Sequence, residues 1–346
     1  MPVTFTSLTD VLDHGFDALI DVRAPAEFAE DHVPGAMNLP VLDDAERARV
    51  GTIYKQDSPF RARKIGAALV ARNAAAHIEG PLADKDGAWQ PLVYCWRGGQ
   101  RSGSFASILK DIGWRAQTIA GGYKSYRRLV VASLYGTPPP ARVILLDGFT
   151  GTGKTEVLAR LPGHGLQVID LEGLAGHRGS VLGAVGPQPS QKAFESKLAS
   201  ALAALDPAAP VVIEAESSKI GRVSLPPELF AAMRAAPRVE LQAPPSVRAA
   251  FLAQTYGGAR EDLLSRLDAL RSLRGAEQVA RWTDQIRSGA LEDAARGLIA
   301  NHYDPAYAKS RARAAGLITN VVEARTLDPA GLDDVARAVA AAVRAI

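Results

Sequence analysis

The single cysteine of the 346-residue chain lies in the stretch "YCWRGGQRSGS", residues 94–104. Cys95 follows a short apolar run and precedes a segment with helical spacing. Backbone N–H groups at the start of a helix, the helix dipole and nearby guanidinium groups favour negative charge, so the thiolate should be populated at neutral pH. Paired glycines let successive amides turn toward one anion. We therefore predict a nucleophilic sulfur in an anion-binding loop made of Trp96, Arg97, Gly98, Gly99, Gln100 and Arg101.

The sequence on either side of this loop predicts a strand before it and a helix after it. Tyr94 ends a predicted strand, residues 95–101 form the loop, and the spacing predicts a helix over 102–113 that stops at Gly113. Trp96 could stack on an unpaired RNA base or pack in the core. For Cys95 the alternative interpretation is a small buried core residue, as most lone cysteines are.

A second motif, "GFTGTGKTE", has the spacing of a phosphate-binding P-loop. The strand-like "RVILLD" precedes it and the helix-compatible "TEVLARL" follows it. Backbone amides would surround a pyrophosphate, Lys154 would neutralise it, and the Thr155 hydroxyl could hold Mg²⁺. The predicted pyrophosphate-binding residues are Gly148, Thr150, Gly151, Thr152, Gly153, Lys154 and Thr155.

Two acidic residues follow another strand-like segment, "VVIEAES". Glu214 and Glu216 stand where a nucleotide hydrolase usually carries an aspartate. Either glutamate could reach a metal through water, or both could be solvated residues at a strand end. The sequence therefore gives ATP hydrolysis little support, and no metal ligand beyond Thr155 is proposed.

The rest of the chain must position these two loops. With 47% hydrophobic and 22% charged residues it has the composition of a globular protein, and its length favours two domains. Three consecutive prolines, residues 138–140, separate the two halves, which we assign to domains 1–136 and 141–346. Short apolar runs alternate with helical segments in both halves, which predicts an α/β fold with parallel strands. Residues 246–302 are predicted to be mainly helical, as is the end of the chain.

Composition also restricts the setting of the protein. One cysteine can form neither an internal disulfide nor a cysteine zinc cluster, which fits a reducing cytoplasm. The first ten residues lack a basic lead and an apolar run, and no stretch approaches the roughly 18 apolar residues of a membrane span. We expect a cytoplasmic protein without a membrane segment.

Charge is concentrated around the cysteine. The formal net charge is +3, yet residues 97–128 hold seven basic residues and one acidic residue. A polyanion such as RNA would be attracted there, with Arg127 and Arg128 among the candidate contacts. A solvated helix face with scattered arginines is the alternative.

The segments flanking the cysteine loop resemble a rhodanese, or sulfurtransferase, domain. They are "IDVRAPAEFAEDHVPGAMNLP", residues 20–40, and "IAGGY", residues 119–123. Taken alone, Cys95, five residues and Arg101 also match the signature of cysteine phosphatases, although Tyr94 replaces their usual histidine. The loop has the phosphatase length, which is one residue longer than that of sulfurtransferases. Selenophosphate, which carries a chalcogen and a phosphate, would reconcile the two resemblances.

Taken whole, the chain resembles the tRNA 2-selenouridine synthase family. Further segments carry this resemblance: "DLEGLAGHRGS" (170–180), "EAESSKIG" (214–221) and "NHYDPAY" (301–307). It implies an N-terminal rhodanese-like domain plus a P-loop NTPase-like domain with a parallel sheet and a helical C-terminal region. It also implies replacement of the 2-thio group of a tRNA wobble uridine by selenium from selenophosphate, after a geranyl group from geranyl pyrophosphate has been attached to the sulfur.

The resemblance assigns roles to the motifs. Cys95 would carry the selenium, Arg97 and Arg101 would bind phosphate, and the P-loop would hold the pyrophosphate of the geranyl donor. The partner would be the tRNA anticodon stem-loop, with no tightly bound cofactor and Mg²⁺ as an optional ion. His177 and Arg178 could contact RNA phosphate or pyrophosphate, or cap a loop.

Two other functions are open at this point. One is a cysteine phosphatase-like enzyme fused to a nucleotide-binding domain. The other is a regulatory module in which both loops only sense anions.

Overall fold

The computed structural model describes residues 2–177, 187–258, 260–307 and 315–346. By its contacts the chain forms two compact units. The first comprises Met1–Thr137 and Pro189–Ala203, and the second comprises Pro138–Gln188 and Ala204–Ile346. The chain first passes between the units at the proline run. Residues 189–203 differ from the sequence-based division, which placed them in the second domain.

The helices and strands alternate along much of the chain. The described strands are β1 Ala18–Asp21, β2 Met37–Asn38, β3 Pro91–Tyr94, β4 Gln117–Thr118, β5 Val143–Gly148, β6 Gln167–Ile169, β7 Val211–Glu214, β8 Lys219–Ile220, β9 Val223–Ser224, β10 Arg238–Gln242 and β11 Ile318–Glu323. The described α-helices are α1 Leu8–Leu12, α2 Pro25–Glu30, α3 Asp44–Gln56, α4 Pro59–Glu79, α5 Gln100–Ile112, α6 Gly122–Leu134, α7 Lys154–Leu158, α8 Leu171–Ala175, α9 Gln191–Ala203, α10 Pro227–Ala235, α11 Pro245–Tyr256, α12 Arg260–Leu267, α13 Arg271–Arg274, α14 Ala276–Arg287, α15 Leu291–Leu298 and α16 Pro329–Arg344. Among these helices, none combines the length and the apolar character that a membrane span requires.

The first unit is built on a parallel sheet with the strand order β2-β1-β3-β4. Apolar side chains of β1 and β3, including Ile20 and Val93, are fully buried against Phe105 and Leu109 of α5. Helix α5 begins at Gln100, two residues before the predicted start, and ends at Ile112, where it is capped by Gly113 with a φ of 117°. The loop after β3 is therefore short, and Gln100 and Arg101 lie in the first turn of the helix.

A buried ion pair lies at the end of β1. Asp21 and Arg23 are 0% and 1% exposed, and Arg23 Nη2 lies 2.6 Å from Asp21 Oδ2. The same nitrogen donates to the carbonyl oxygen of Asp31, and the guanidinium stacks over the ring of Tyr123. The pair thus joins the end of β1 to Asp31 and Tyr123 inside the first unit.

Loss of this pair should destabilise the first unit strongly. Asp21→Asn should lower its free energy of unfolding by about 3–5 kcal/mol, because the charge of Arg23 remains buried without a counterion. Urea unfolding followed by tryptophan fluorescence is suited to the measurement, since three of the four tryptophans (Trp89, Trp96 and Trp114) lie in this unit.

The matched control is Asp57→Asn, which breaks the exposed ion pair between Asp57 and Arg61. Exposed pairs contribute less than about 1 kcal/mol. Equal destabilisation by the two substitutions would contradict a bracing role for Asp21.

Helix α9 packs against α6 through buried polar contacts. Arg127 of α6 forms an ion pair with Glu195, which is 3% exposed and also accepts a hydrogen bond from the Tyr135 hydroxyl at 2.7 Å. Ser196 donates to the buried Asp31 at 3.0 Å. These contacts hold α9 in the first unit. They also correct the expectation for Arg127, whose guanidinium is committed to an internal partner rather than to RNA.

The second unit contains a parallel sheet with the strand order β11-β10-β5-β7-β6 and a small antiparallel pair, β8-β9. Residues of β5, β7, β10 and α16 form its main apolar cluster, with Ile144, Val212, Leu241 and Val339 completely buried. Helices α12, α14 and α15 enclose a second cluster around Trp282. Parallel strands followed by a mainly helical region are what the sequence predicted. The carboxyl ends of β5, β6 and β7 lie at one edge of the sheet, where ligands bind in open α/β sheets.

Candidate active sites

The sulfur of Cys95 lies between an apolar core and the polar start of α5. The residue is 3% exposed and packs in the cluster of Val93 and Phe105. Its Sγ accepts hydrogen bonds from the backbone N–H of Gly99 at 3.4 Å and from the Ser102 hydroxyl at 3.2 Å. The thiol is therefore buried, but its sulfur accepts hydrogen bonds from two protein donors.

These donors decide the charge of the thiol. Burial raises the pKa of Cys95, but hydrogen bonds from the Ser102 hydroxyl, from the backbone of Ser102 and from the backbone of Gly99 lower it, as does the charge of Arg101. The net effect is a pKa below the ordinary value for cysteine. The site thus favours the thiolate that the sequence predicted.

Ser102→Ala should raise the pKa of Cys95. The substitution removes a hydroxyl donor whose net contribution is about 1 kcal/mol, which corresponds to an upward shift of roughly 0.7 pH units. The rate of alkylation by iodoacetamide, measured against pH, gives this pKa. Ser104→Ala on the exposed face of α5 is the control and should leave it unchanged. An unshifted profile in Ser102→Ala would show that the hydroxyl does not stabilise the thiolate.

The loop is held in shape by the glycine turn that follows β4. Gly98 has a φ of +66°, and a Cβ at this position would lie 2.6 Å from the carbonyl oxygen of Ile119. Gly122 abuts the loop from the other side, where a Cβ would collide with the carbonyl oxygen of Cys95. The N–H of Tyr123 donates to that same oxygen at 2.8 Å. The turn that the sequence related to rhodaneses is thus a structural support of the cysteine loop.

Gly99 plays a different part from the one predicted. Its φ is −105°, which any residue can adopt, and a Cβ built on it would have free space. Gly99 therefore contributes its N–H to Cys95 and begins α5, whereas the bend of the loop depends on Gly98.

The two loop arginines have different surroundings. Arg101 forms a two-pronged ion pair with Glu27, with N···O distances of 2.8 and 3.4 Å, and Arg47 approaches the same carboxylate at 3.6 Å. Burial raises the pKa of Glu27, but Arg101, the backbone N–H of Ala24 and Arg47 together lower it overall. Arg97 is exposed. An anion entering the loop would therefore share Arg101 with Glu27, whereas the side chain of Arg97 is open to solvent.

Trp96 and the basic residues complete this surface. The Trp96 ring stacks on Tyr123 with centroids 5.2 Å apart, and its side chain is half-buried. Of the seven basic residues counted from the sequence, two are committed to ion pairs, Arg101 and Arg127. The others are exposed: Arg97, Lys110, Arg115, Lys124 and Arg128.

The predicted P-loop connects β5 to α7 in the second unit. Its residues from Thr150 to Thr155 line one cavity, and Gly148 ends β5 beside it. Gly151 has a φ of +83°, and a Cβ there would lie 2.9 Å from the side chain of Leu252. Lys154 Nζ donates to the carbonyl oxygens of Gly148 at 2.7 Å and Phe149 at 3.2 Å. The ammonium group of Lys154 therefore lies within the P-loop, to which it adds a positive charge.

Three glutamates lie behind this loop. The Thr155 hydroxyl donates to Glu172 at 3.1 Å, and the N–H of Glu172 donates to Glu214 at 2.7 Å. Burial raises the pKa of Glu214 to about 9, with a further contribution from Asp170. Burial and the charge of Glu172 raise the pKa of Glu216 to about 8. Burial also raises the pKa of Glu172, although Lys154 opposes it.

The glutamates differ in access. Glu172 and Glu216 line the cavity, whereas Glu214 is 1% exposed and supports Glu172 from behind. Neither of the two interpretations made for Glu214, a metal contact or a solvated strand end, describes it. Sequence reasoning missed Glu172. The position of Glu172 just after β6 could have indicated that it belongs to the site, because β6 pairs with β7 and the carboxyl ends of the two strands meet.

The cavity at the P-loop has a polar floor and an apolar wall. It spans about 1100 Å³, a volume that includes space open to solvent. The polar floor contains the P-loop together with Glu172 and Glu216. The wall is formed mainly by apolar and aromatic side chains: Phe251, Leu252, Tyr256, Leu263, Ile286, Leu291, Ala294, Ala295, Leu298, Tyr303 and Tyr307.

The "NHYDPAY" segment is tied to the P-loop by Arg248. Arg248 is 3% exposed, donates to the carbonyl oxygen of Thr150 at 2.8 Å, and makes a two-pronged ion pair with Asp304 at 2.6 and 3.0 Å. A π-helical turn at Ile299–Tyr303 precedes Asp304, and π-helical turns often mark functional sites. Sequence reasoning quoted this segment but missed the part played by Arg248 and Asp304.

His177 and Arg178 were predicted as contacts for RNA or pyrophosphate. His177 is half-buried, and burial together with the charge of Arg266 lowers its pKa. Arg178 lies outside the described residues.

Known families match both halves of the chain. The rhodanese-like domain matches residues 4–129, and the tRNA 2-selenouridine synthase AAA domain matches residues 141–286. The tRNA 2-selenouridine synthase of Pseudomonas syringae pv. syringae (strain B728a) is 36% identical over 338 residues, covering 87% of this chain and 90% of that protein. The enzyme of the same name from Marinobacter nauticus is 34% identical, with coverages of 84% and 87%. That from Hahella chejuensis is 38% identical, with coverages of 78% and 70%. On this evidence the chain belongs to the tRNA 2-selenouridine synthase family.

Proposed function

We propose that this protein converts 2-thiouridine at the wobble position of tRNA to 2-selenouridine, using selenophosphate, through an S-geranyl intermediate made from geranyl pyrophosphate. The relatives named above support the overall conversion. The observation that carries the geranyl step is the cavity, in which a P-loop opens onto an apolar and aromatic wall. A pyrophosphate with a hydrocarbon tail matches both parts of this cavity.

In the first step the sulfur of 2-thiouridine attacks C1 of the geranyl group. The S–C1 bond forms, the C1–O bond breaks, pyrophosphate leaves, and the N3 proton of the base is released. The P-loop amides and Lys154 would hold the leaving pyrophosphate, where they stabilise the charge that develops on it.

A magnesium ion bound to pyrophosphate would fit this site. Thr155, Glu172 and Glu216 offer oxygen atoms, which Mg²⁺ prefers. In the described part of the chain no group of three or more His, Cys, Asp or Glu could hold a metal by itself. Pyrophosphate oxygens would therefore have to supply part of the coordination.

S-geranylation prepares the base for exchange. It turns the sulfur at C2 into a neutral thioether, from which geranyl thiolate is a better leaving group, and it makes C2 more electrophilic. Selenide attack on C2 then forms the C2–Se bond and breaks the C2–S bond, and geranyl thiolate leaves.

The electrons of the P–Se bond decide which atom of selenophosphate the Cys95 thiolate would attack. Attack of the thiolate on selenium would expel phosphorus with the P–Se electron pair, as phosphite, and could yield phosphate only with an added oxidant. Attack of the thiolate on phosphorus needs no oxidant. The S–P bond forms, the P–Se bond breaks, and selenide leaves with the electron pair of that bond. Water then hydrolyses the phosphocysteine to phosphate. This assignment differs from the selenium carrier that the resemblance implied, and it agrees with the phosphatase length of the loop.

The Cys95 loop suits this chemistry. The donors that lower the pKa of Cys95 favour its thiolate form. Arg97, Arg101 and the loop amides are the groups that would bind the phosphate of selenophosphate, with Trp96 beside them. Lys124 and Arg128, which are exposed, are candidates for contacts with the tRNA backbone.

The test is a mass analysis of nucleosides from thiolated tRNA after incubation with the protein. Geranyl pyrophosphate alone should give S-geranyl-2-thiouridine, and addition of selenophosphate should convert it to 2-selenouridine. Formation of 2-selenouridine at full rate without geranyl pyrophosphate would refute the intermediate. Hydrolysis of a generic aryl phosphate without any change to tRNA would favour the phosphatase-like alternative.

A further inference from the structure

Three successive carbonyl oxygens of the P-loop accept hydrogen bonds from side chains. Those of Gly148 and Phe149 accept from Lys154, which belongs to the loop itself. That of Thr150 accepts from Nε of Arg248 at 2.8 Å, and Arg248 lies on α11, 98 positions after Thr150. One carbonyl group of the loop is therefore held by a side chain from another element.

The carbonyl of Thr150 and the N–H of Gly151 belong to one trans peptide unit. In such a unit the C=O and N–H bonds point in opposite directions, because the peptide group is planar. The N–H of Gly151 is therefore directed away from the guanidinium of Arg248, and no acceptor in the described part of the chain takes it. Since Gly151 lines the cavity, its N–H is available to an anion bound there.

The guanidinium of Arg248 has little freedom to turn. It is buried, it lies 5.1 Å from the centre of the Phe149 ring, and its two terminal nitrogens both donate to Asp304. Rotation of this planar group would break the pair with Asp304 and leave a buried charge without a counterion. Helix α11 also approaches the loop closely, since a Cβ at Gly151 would lie 3.2 Å from the carbonyl oxygen of Arg248. The donor to Thr150 is therefore fixed in place by Asp304 and by packing.

We propose that Arg248 and Asp304 are positioning residues for pyrophosphate, and that they direct the N–H of Gly151 at the anion through the carbonyl of Thr150. The inference rests on the proposed use of the P-loop for pyrophosphate and goes beyond it by naming the residues that orient one of its donors. Arg248 acts through the backbone, and Asp304 acts through Arg248. A donor that is already oriented needs no reorganisation when negative charge develops on the leaving group.

Selective isotope labelling isolates this N–H for nuclear magnetic resonance. Gly151 and Gly153 are the only glycines of the sequence that follow a threonine, so ¹³C-carbonyl threonine combined with ¹⁵N-glycine selects their two amide signals. Saturating inorganic pyrophosphate should shift both amide protons downfield in the wild-type protein. Arg248→Lys keeps the charge but loses the planar fork, so it should reduce the Gly151 shift to less than about half and leave the Gly153 shift unchanged.

Kinetics of geranyl transfer give a second measurement. Arg248→Lys should lower kcat about 10²-fold and change the KM for geranyl pyrophosphate less than about threefold, because the donor matters most when the leaving pyrophosphate gains charge. The double variant with Asp304→Asn should stay within about twofold of Arg248→Lys, since Asp304 acts only through Arg248. The matched control is Arg160→Lys, since the side chain of Arg160 contacts Asp333 and the carbonyl oxygen of Glu156 in the same unit. It should leave both amide shifts and kcat unchanged.

The outcomes separate this inference from the proposed function. If pyrophosphate shifts neither glycine signal in the wild type, the assignment of the P-loop to pyrophosphate and the inference are overturned together. An undiminished Gly151 shift in Arg248→Lys overturns the inference alone and leaves the pyrophosphate site standing. Equal loss of the Gly151 and Gly153 shifts also overturns it, because the variant would then have lost the whole loop. If Arg248→Lys fails to fold, Asp304→Asn decides the question by the same two signals.

Discussion

Cys95→Ala should abolish the formation of 2-selenouridine and leave geranyl transfer intact. We expect a loss of at least about 10³-fold in the selenium step, since a covalent nucleophile has no substitute in the loop. Geranyl transfer should stay within about twofold of the wild-type rate, because the P-loop cavity is lined by residues of the second unit. S-Geranyl-2-thiouridine should therefore accumulate in the tRNA, where nucleoside mass analysis detects it.

Cys95→Ser gives the sharper control. Serine preserves size and hydrogen bonding, but its hydroxyl is not ionised near neutral pH, so selenium transfer should be lost equally. Normal 2-selenouridine in either variant would exclude a covalent role for the thiol and would favour a loop that only senses anions.

The same experiment can identify the atom that Cys95 attacks. Acid quenching of wild-type protein with selenophosphate, in the absence of tRNA, should yield a phosphoryl adduct on the peptide that contains Cys95. An adduct with the isotope pattern of selenium would instead support a selenium carrier.

Lys154→Ala should show the opposite pattern. Removing the ammonium group from the P-loop should slow geranyl transfer by about 10²–10³-fold, because the pyrophosphate leaves with negative charge that Lys154 would stabilise. Lys219→Ala, which removes an exposed lysine of the same unit, should have no such effect.

A chemical bypass makes this prediction specific. If tRNA that already carries S-geranyl-2-thiouridine is supplied, Lys154→Ala should form 2-selenouridine at the wild-type rate. Failure of the bypass would mean that Lys154 also serves the selenium step or the fold. Unchanged geranyl transfer by Lys154→Ala would refute the assignment of the P-loop to geranyl pyrophosphate.

Local pattern was sufficient to predict the two loops. The glycine and lysine spacing of residues 148–155 requires a strand before it and a helix after it, and β5 and α7 are in those places. The donors to Cys95 are also local, because Gly99 directly precedes α5 and Ser102 lies in its first turn. Even here the helix began earlier than expected, which placed Arg101 on α5 within reach of Glu27.

Contacts between distant residues could not be read in the same way. Arg127 looked like a surface cation because its partner, Glu195, lies 68 positions later on a helix assigned to the other half. Glu172 became visible as a cavity residue only once β6 was placed beside β7. The apolar lining of the P-loop cavity comes mainly from α11, α12, α14 and α15, and no single one of these helices shows the pattern of a ligand site. Packing over such separations depends on tertiary fit, which periodicity does not encode.

Helix α9 has a consequence for how this protein can be divided. The polypeptide leaves the first unit after Thr137, returns to it at Pro189 to contribute that helix, and departs again after Ala203. A gene truncated at the proline run would produce a fragment in which Arg127 and Tyr135 have lost Glu195, and Asp31 has lost Ser196. The chain crosses between the two units three times, so a cut at the proline run separates helix α9 from the unit in which it packs.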